Sequence, residues 1–107
     1  MTLFAAVVAI SFLSLGALAK AEGPAEGGKI IAQERCANCH AIGPEGESPR
    51  EEAPPFRQLH YRYPVEHLAE ALAEGIDVGH EAMPEFVLEP REIDALIAYL
   101  KTLEPAE

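Results

Sequence analysis

Two cysteines and a histidine form the group of residues best suited to chemistry. They lie together in Cys36-Ala37-Asn38-Cys39-His40, a Cys-x-x-Cys-His sequence, which is the attachment motif of c-type haem. Two thiols three positions apart can reach the vinyl groups on neighbouring edges of a porphyrin and form thioethers. The histidine that follows is carried under the iron. The motif therefore predicts a haem attached through two thioethers, with His40 as the proximal ligand.

The same residues allow two other interpretations. A redox-active dithiol of the thioredoxin type requires a βαβ setting, and the sequence has no alternating strand pattern. A zinc site needs more ligands than Cys36 and Cys39, which are the only cysteines, and no second ligand pair has the usual spacing. The haem interpretation also agrees with the export signal described below, because bacteria attach haem covalently outside the cytoplasm.

A second axial ligand is expected from elsewhere in the chain. Met83 stands in a predicted loop before Pro84, far enough from His40 to return over the opposite face of a haem. A thioether is a soft ligand that favours ferrous iron and raises the reduction potential. His80 and His60 also lie in predicted loops, and we rank Met83 above His80 and His80 above His60.

The amino-terminal segment predicts export. No residue from Leu3 to Ala19 is charged, and small residues then form patterns typical of signal-peptide cleavage after Ala19 or Ala21. We expect removal of residues 1–21 and a periplasmic protein. The alternative is that the leader is retained as a membrane anchor, which is the only membrane contact expected. Its length of about 17 residues is at the lower edge of a spanning helix. Residues 22–27 are predicted to be a flexible tether.

Two helices are predicted on either side of a loop at residues 43–55. The first covers residues 28–35 and runs directly into Cys36. The second lies between Pro64 and Gly75, because proline suits a first helical turn and glycine the position after the last. His67 falls within this helix and is expected to be solvated.

The third helix has the clearest pattern. It begins at Pro90, and its apolar residues recur at i, i+3, i+4 and i+7: Ile93, Leu96, Ile97 and Leu100. Two loops are predicted, at residues 43–55 and 76–89. Turn-forming residues dominate the first of them. The expected domain is all-α and covers residues 28–104, with a tail at residues 105–107. Loops this long in a small domain are expected to wrap around a bound group.

Charge and composition exclude several classes of protein. The 107 residues include 18 acidic and 8 basic side chains, for a net charge of −10 and a pI of about 4.7. Nucleic-acid phosphates and anionic membrane surfaces repel such a chain. A hydrophobic content of 49% argues against disorder. Much of it lies in the leader, so the folded unit is too small to rely on its polypeptide core alone.

The sequence resembles the class I cytochrome c family, in particular its short bacterial periplasmic monohaem members. The resemblance covers about residues 27–104 and rests on four blocks in the family's order: residues 28–31 leading into 36–40, then 53–56, 79–84 and 93–101. It implies three to five helices wrapped around one covalently attached haem. It also implies that the first and last helices cross at Gly28, against Leu96 and Tyr99. Ala32 stands where the family often has an aromatic residue.

The resemblance also implies further contacts with the haem and its ligand. A family proline accepts the Nδ1–H of the proximal histidine through its carbonyl; here this is Pro54, with Pro55 as the alternative. Haem propionates are held in the family by Arg, Tyr or Trp. Four residues stand at the corresponding stage of this chain, with ordinary loop surface as the equally weighted alternative: Arg57, Tyr61, Arg62 and Tyr63.

The function expected on these grounds is transfer of single electrons between periplasmic redox proteins, not catalysis. His40 and Met83 would fill both axial positions, leaving no open site on the iron for a small-molecule substrate. The acidic surface predicts redox partners with basic docking patches. Two alternatives are a haem-based gas-binding or sensor module and a tethered electron-transfer subunit of a periplasmic dehydrogenase.

Overall fold

The computed structural model describes residues 23–75, 83–84 and 87–105, together with Ala9. In these residues the chain forms three α-helices and two 3₁₀ helices, with no strand: α1 (Pro24–Arg35), a first 3₁₀ helix (Phe56–Tyr61), a second 3₁₀ helix (Val65–His67), α2 (Leu68–Glu74) and α3 (Pro90–Thr102). The predicted all-α fold is confirmed. No helix in the described part of the chain is long and apolar enough to span a bilayer. Apart from Ala9, the predicted leader lies outside the described residues.

Helix α1 begins earlier than predicted. Pro24 occupies the first helical turn after Gly23, and Glu26 lies in that turn, where the helix dipole favours an acid. Residues 24–27 are therefore helical, and the prediction that they belong to a flexible tether was wrong. Gly27 and Gly28 suggest flexibility in the sequence, but both face α3 in the structure.

The crossing of α1 and α3 depends on one glycine. A Cβ atom added to Gly28 would lie 1.9 Å from the Ala95 carbonyl oxygen and 2.7 Å from the Tyr99 Cβ. Absence of a side chain thus lets the two backbones touch. The closest partner on α3 is Ala95, not Leu96 as the resemblance implied, and Tyr99 is the second. Ala32, one turn further along α1, is fully buried at 0% exposure.

Helix α3 has a complete amino-terminal cap. The Glu89 side chain accepts from the backbone of Glu92, and the Glu92 carboxylate accepts from the Glu89 N–H at 3.2 Å, while Pro90 fills the first turn. Further along, the Tyr99 hydroxyl donates to the Ile42 carbonyl at 2.6 Å. This bond joins the helix to the chain that follows the cysteine motif.

The second predicted helix is divided into two parts. Val65–His67 is a 3₁₀ turn, and α2 continues from it as Leu68–Glu74. Gly75 ends α2 with φ of +70°, a left-handed conformation that glycine adopts without strain, and its N–H donates to the Ala71 carbonyl. The Leu88 N–H donates to the Leu72 carbonyl at 3.1 Å, which fixes the described end of the following segment against α2.

The first 3₁₀ helix was not predicted from the sequence. It follows Pro55, and Phe56 and Leu59 are both buried because residues three apart lie on one side of a 3₁₀ helix. These two residues join the core with Leu88, which precedes α3, and with side chains from every other helix: Ala32, Val65, Leu72, Ile93, Leu96, Tyr99 and Leu100.

Candidate haem site

The cysteine motif continues directly from the end of α1. The N–H of Cys36 donates to the Ala32 carbonyl at 2.9 Å, so the first cysteine is still held by the helix. The Cys36 carbonyl then accepts from the N–H groups of Cys39, at 3.2 Å, and His40, at 3.0 Å. These bonds form a tight turn, which brings both thiols and the imidazole to the same end of α1.

A strap of irregular chain, residues 43–55, returns across the cysteine motif. The Arg50 N–H donates to the Cys39 carbonyl at 3.1 Å, and the Phe56 N–H donates to the Ala41 carbonyl at 2.9 Å. Within the strap, the Ser48 Oγ accepts from the Ala41 N–H at 2.9 Å. The loop predicted at residues 43–55 is thus tied at several points to the residues that follow the cysteines.

This strap positions a carbonyl against the candidate proximal ligand. His40 Nδ1 lies 2.8 Å from the carbonyl oxygen of Pro54, not Pro55, and donates to it. The bond leaves Nε2 as the nitrogen with a free lone pair, in the orientation that a metal ligand requires. The His40 ring also packs on Phe56, with ring centroids 5.0 Å apart.

Two adjoining cavities, of about 450 and 130 Å³, lie beside His40. Their combined size falls within the roughly 300–1,000 Å³ typical of cofactor pockets. Six residues line both: Arg35, Cys36, His40, Pro54, Phe56 and Met83. The smaller cavity is otherwise mainly aliphatic, with Ile31, Leu59, Leu68, Leu72, Leu88, Leu96 and Leu100 among its lining residues. The larger cavity also includes Cys39.

Among the candidate axial ligands, Met83 lies in the lining of both cavities together with His40. His60 lines neither cavity and belongs to the first 3₁₀ helix, not to a loop as predicted. Both of its ring nitrogens are buried without a hydrogen-bond partner, and its ring packs on Tyr61 at 4.0 Å. His67 is exposed, and His80 lies outside the described residues.

The four residues suggested for propionate binding are separated by the structure. Arg62 and Tyr63 line the smaller cavity, and burial raises the pKa of the Tyr63 phenol while the Arg62 guanidinium opposes that shift. Arg57 instead donates from Nη1 to the Gly46 carbonyl at 2.7 Å. Tyr61 is 76% exposed. Arg57 and Tyr61 line neither cavity.

Arg35 is a cavity residue that sequence reasoning missed. It occupies the last turn of α1, immediately before Cys36, and its Nη2 lies 3.9 Å from the Glu92 Oε2 of α3. Burial raises the pKa of the Cys36 thiol to about 11, although the Arg35 charge lowers it and Cys39 raises it further. The position of Arg35 next to the first cysteine is the sequence signal that could have indicated that it lines the cavities.

Comparison with known families gives one match. The cytochrome c family model matches residues 24–104, which begin at the first residue of α1 and include all of α3. No curated protein and no solved structure matches the chain. The chain belongs to the cytochrome c family, whose members hold covalently bound haem and transfer electrons.

The residues present fit such a group. Cys36 and Cys39 have the spacing for covalent attachment, and His40 is oriented by Pro54 as a metal ligand. The cavities beside them have mainly apolar linings, as a porphyrin requires.

Proposed function

We propose that this protein carries single electrons between redox proteins by means of one haem c, attached through Cys36 and Cys39. His40 and Met83 would hold its iron. The observation that carries the proposal is that these two residues line the same pair of cavities. When bound, the haem supplies a reversible one-electron change between ferric and ferrous iron.

The protein residues set the properties of this site. Pro54 accepts the Nδ1–H of His40, which fixes the ring and makes its other nitrogen a stronger donor. Met83 contributes a thioether, a soft ligand that favours the ferrous state and raises the reduction potential. Pro84 has a fixed φ angle, and it disfavours helical conformation for the residue before it, Met83.

The cavity walls have a second role. Aliphatic side chains from several helices exclude water and lower the local dielectric constant, so that few dipoles must reorient when the charge at the site changes. Arg62 and Tyr63 offer donors to the two propionate carboxylates at the wall of the smaller cavity. Because His40 and Met83 would both hold the iron and leave no position for a substrate, the protein would act as a carrier and not as an enzyme.

Replacing the methionine tests the proposal. In Met83→Ala the haem stays covalently attached, because both cysteines remain. The reduction potential falls by on the order of 0.1 V or more, within the roughly 0.8 V that axial ligands span. Ferrous Met83→Ala binds carbon monoxide, whereas the ferrous wild type does not. Redox titration and absorption spectroscopy measure both effects.

A surface substitution provides the matched control. Val87 is 70% exposed, and Val87→Ala should leave the potential and the carbon monoxide response unchanged. An unchanged potential in Met83→Ala would assign the sixth ligand to another residue, such as His80. Rapid and complete carbon monoxide binding by the wild type would instead favour a gas-binding or sensor module.

Location and partners are part of the same proposal. The uncharged leader and the haem motif support a periplasmic protein, since covalent attachment takes place outside the bacterial cytoplasm. A net charge of −10 attracts redox proteins with basic surfaces at long range and repels nucleic acids. The mass of the purified protein distinguishes cleavage after Ala19 or Ala21 from retention of the leader as an anchor. A tethered subunit of a dehydrogenase would need the retained anchor.

A further inference from the structure

Ala41, the residue directly after the candidate proximal ligand His40, is held at both polar groups of its backbone. Its N–H donates to the Ser48 Oγ at 2.9 Å, and its carbonyl accepts from the Phe56 N–H at 2.9 Å. Ser48 lies within the strap, and Phe56 directly follows it. The two bonds therefore fix the strap next to His40 at one point before and one point after Pro54 in the sequence.

The contacts that orient the His40 ring come from this anchored stretch. The Pro54 carbonyl accepts from Nδ1 at 2.8 Å, and the Phe56 ring packs on the imidazole with centroids 5.0 Å apart. Phe56 is only 7% exposed, so the core holds its ring in place. A movement of the strap relative to Ala41 would therefore change the separation between the Pro54 carbonyl and His40.

Ser48 makes its bond to Ala41 through a side chain, whereas other ties of the strap use the backbone. The N–H groups of Arg50 and Phe56 donate to the carbonyls of Cys39 and Ala41 whatever side chains these positions carry. The half-buried Ser48 hydroxyl is different, because alanine at this position would remove the bond and threonine would keep a hydroxyl. Ser48 also lines neither cavity, so any influence on a bound haem must pass through the chain.

We propose that Ser48 is a positioning residue, which sets the reduction potential of the site through the hydrogen bond between His40 and Pro54. This inference rests on the proposed function, because it takes His40 to hold the iron. Donation from Nδ1 to the Pro54 carbonyl makes Nε2 of His40 a stronger electron donor. A stronger donor stabilises ferric over ferrous iron, because ferric iron carries one more positive charge. By holding the strap against Ala41, Ser48 keeps the potential low.

Ser48→Ala in the haem-loaded protein tests this role with a readout of the hydrogen bond itself. Without the hydroxyl the strap should move away from Ala41 more often. The His40 Nδ1 proton should then exchange with solvent about fivefold faster, a factor equivalent to about 1 kcal/mol, the contribution of one hydrogen bond. Nuclear magnetic resonance of the ferrous protein measures this exchange.

The reduction potential is the second readout. The equilibrium constant for reduction of Ser48→Ala should rise about threefold, which corresponds to about 30 mV for one electron. The change should stay below the roughly 10–100-fold effects that follow loss of an outer partner of a metal ligand, because the Pro54 carbonyl is still present. Redox titration measures the potential, and absorption spectra establish that the variant holds haem as the wild type does.

Two further variants isolate the role of the hydroxyl. Ser48→Thr keeps a hydroxyl and should restore both the exchange rate and the potential to wild-type values. Thr102→Val is the matched control, because it removes a hydroxyl that donates to the Tyr99 carbonyl at 2.6 Å. Thr102 is exposed at the end of α3 and lines neither cavity. This variant should leave the exchange rate and the potential unchanged.

The outcomes separate this inference from the proposed function. Faster exchange and a higher potential in Ser48→Ala, both restored in Ser48→Thr, support the positioning role. An unchanged exchange rate or potential in Ser48→Ala, no restoration in Ser48→Thr, or an equal shift in Thr102→Val would overturn it while leaving the electron carrier intact. A wild-type protein with no c-type haem spectrum would overturn the proposed function and this inference together.

Discussion

Tyr99 connects the α1–α3 crossing to the chain beyond the cysteine motif through a single hydrogen bond. Its Cβ lies beside Gly28, and its hydroxyl donates to the Ile42 carbonyl at 2.6 Å. Burial, and to a smaller extent the Glu26 carboxylate, raise the pKa of this phenol above its usual value of about 10. The folded protein therefore favours the neutral, donating form.

The effect of Tyr99→Phe on stability should depend on pH. At pH 7 the variant should be less stable by about 1 kcal/mol, because it lacks the bond to Ile42. In the wild type, the contribution of Tyr99 is complete below about pH 10 and is lost as the pH rises through the higher pKa of the folded state. The variant should therefore lose less stability above pH 10. Urea denaturation at pH 7 and pH 11 measures both differences, and equal alkaline losses would contradict the assignment.

At the scale of elements, the crossing of α1 and α3 makes a sharp distinction between two adjacent glycines. A Cβ on Gly28 would meet the Ala95 backbone at 1.9 Å, whereas a Cβ on Gly27 would meet only the Ala95 Cβ, at an ordinary 3.8 Å. Gly28→Ala should destabilise the haem-loaded protein by about 3 kcal/mol or more, because the helices must separate. Gly27→Ala should be neutral or stabilising by up to about 1 kcal/mol, because alanine favours helix.

Chemical denaturation of the two variants provides the comparison. Both substitutions add one methyl group at neighbouring positions of the same helix, so the unfolded chains are closely matched. Equal stabilities would mean that α1 and α3 do not approach as closely as the structure indicates.

The elements with strong local signals could be predicted from the sequence. Pro90 and the spacing of the apolar residues after it indicate α3, and the positive φ of Gly75 explains its place at the end of α2. Pro24 marks the start of α1 by the same rule, but the two glycines that follow argue locally against a helix. Gly27 and Gly28 are locally unfavourable in a helix, and only their contact with Ala95, distant in sequence, accounts for them.

The same limit applies to the candidate site. The spacing of Cys36, Cys39 and His40 is local and therefore visible in the sequence. Which of several arginines faces the cavity depends on partners elsewhere: Arg57 is bound to the Gly46 carbonyl, whereas Arg62 lines the cavity. No pattern in the sequence reports such a choice, because all of these residues suit an exposed loop equally well.

At the scale of the whole molecule, the cavities lie at the point where the helices converge. The smaller one is bounded by side chains of α1, the first 3₁₀ helix, α2 and α3, so the group that fills it contacts all four elements. Polypeptide contacts alone give a chain of this size a marginal core. The stability of the fold should therefore depend on the haem.

Protein produced without haem attachment tests this dependence. Its far-ultraviolet circular dichroism should show much less helix than the haem-loaded protein, and it should lack a cooperative thermal transition, because the apolar walls lose their shared contact. The haem-loaded protein, measured in the same buffer, serves as the reference. Equal helix content and a cooperative transition in both preparations would show that the polypeptide core is sufficient.

The early start of α1 also limits how far the domain could travel from a membrane. With helix from Pro24 onward, only residues 20–23 lie between the uncharged run of the predicted leader and the folded domain. Four residues span at most about 14 Å. If the leader were retained, the domain would be held close to the bilayer surface, and its partners would have to be in that membrane or come to it. Free diffusion of the domain between distant partners would require the leader to be cut.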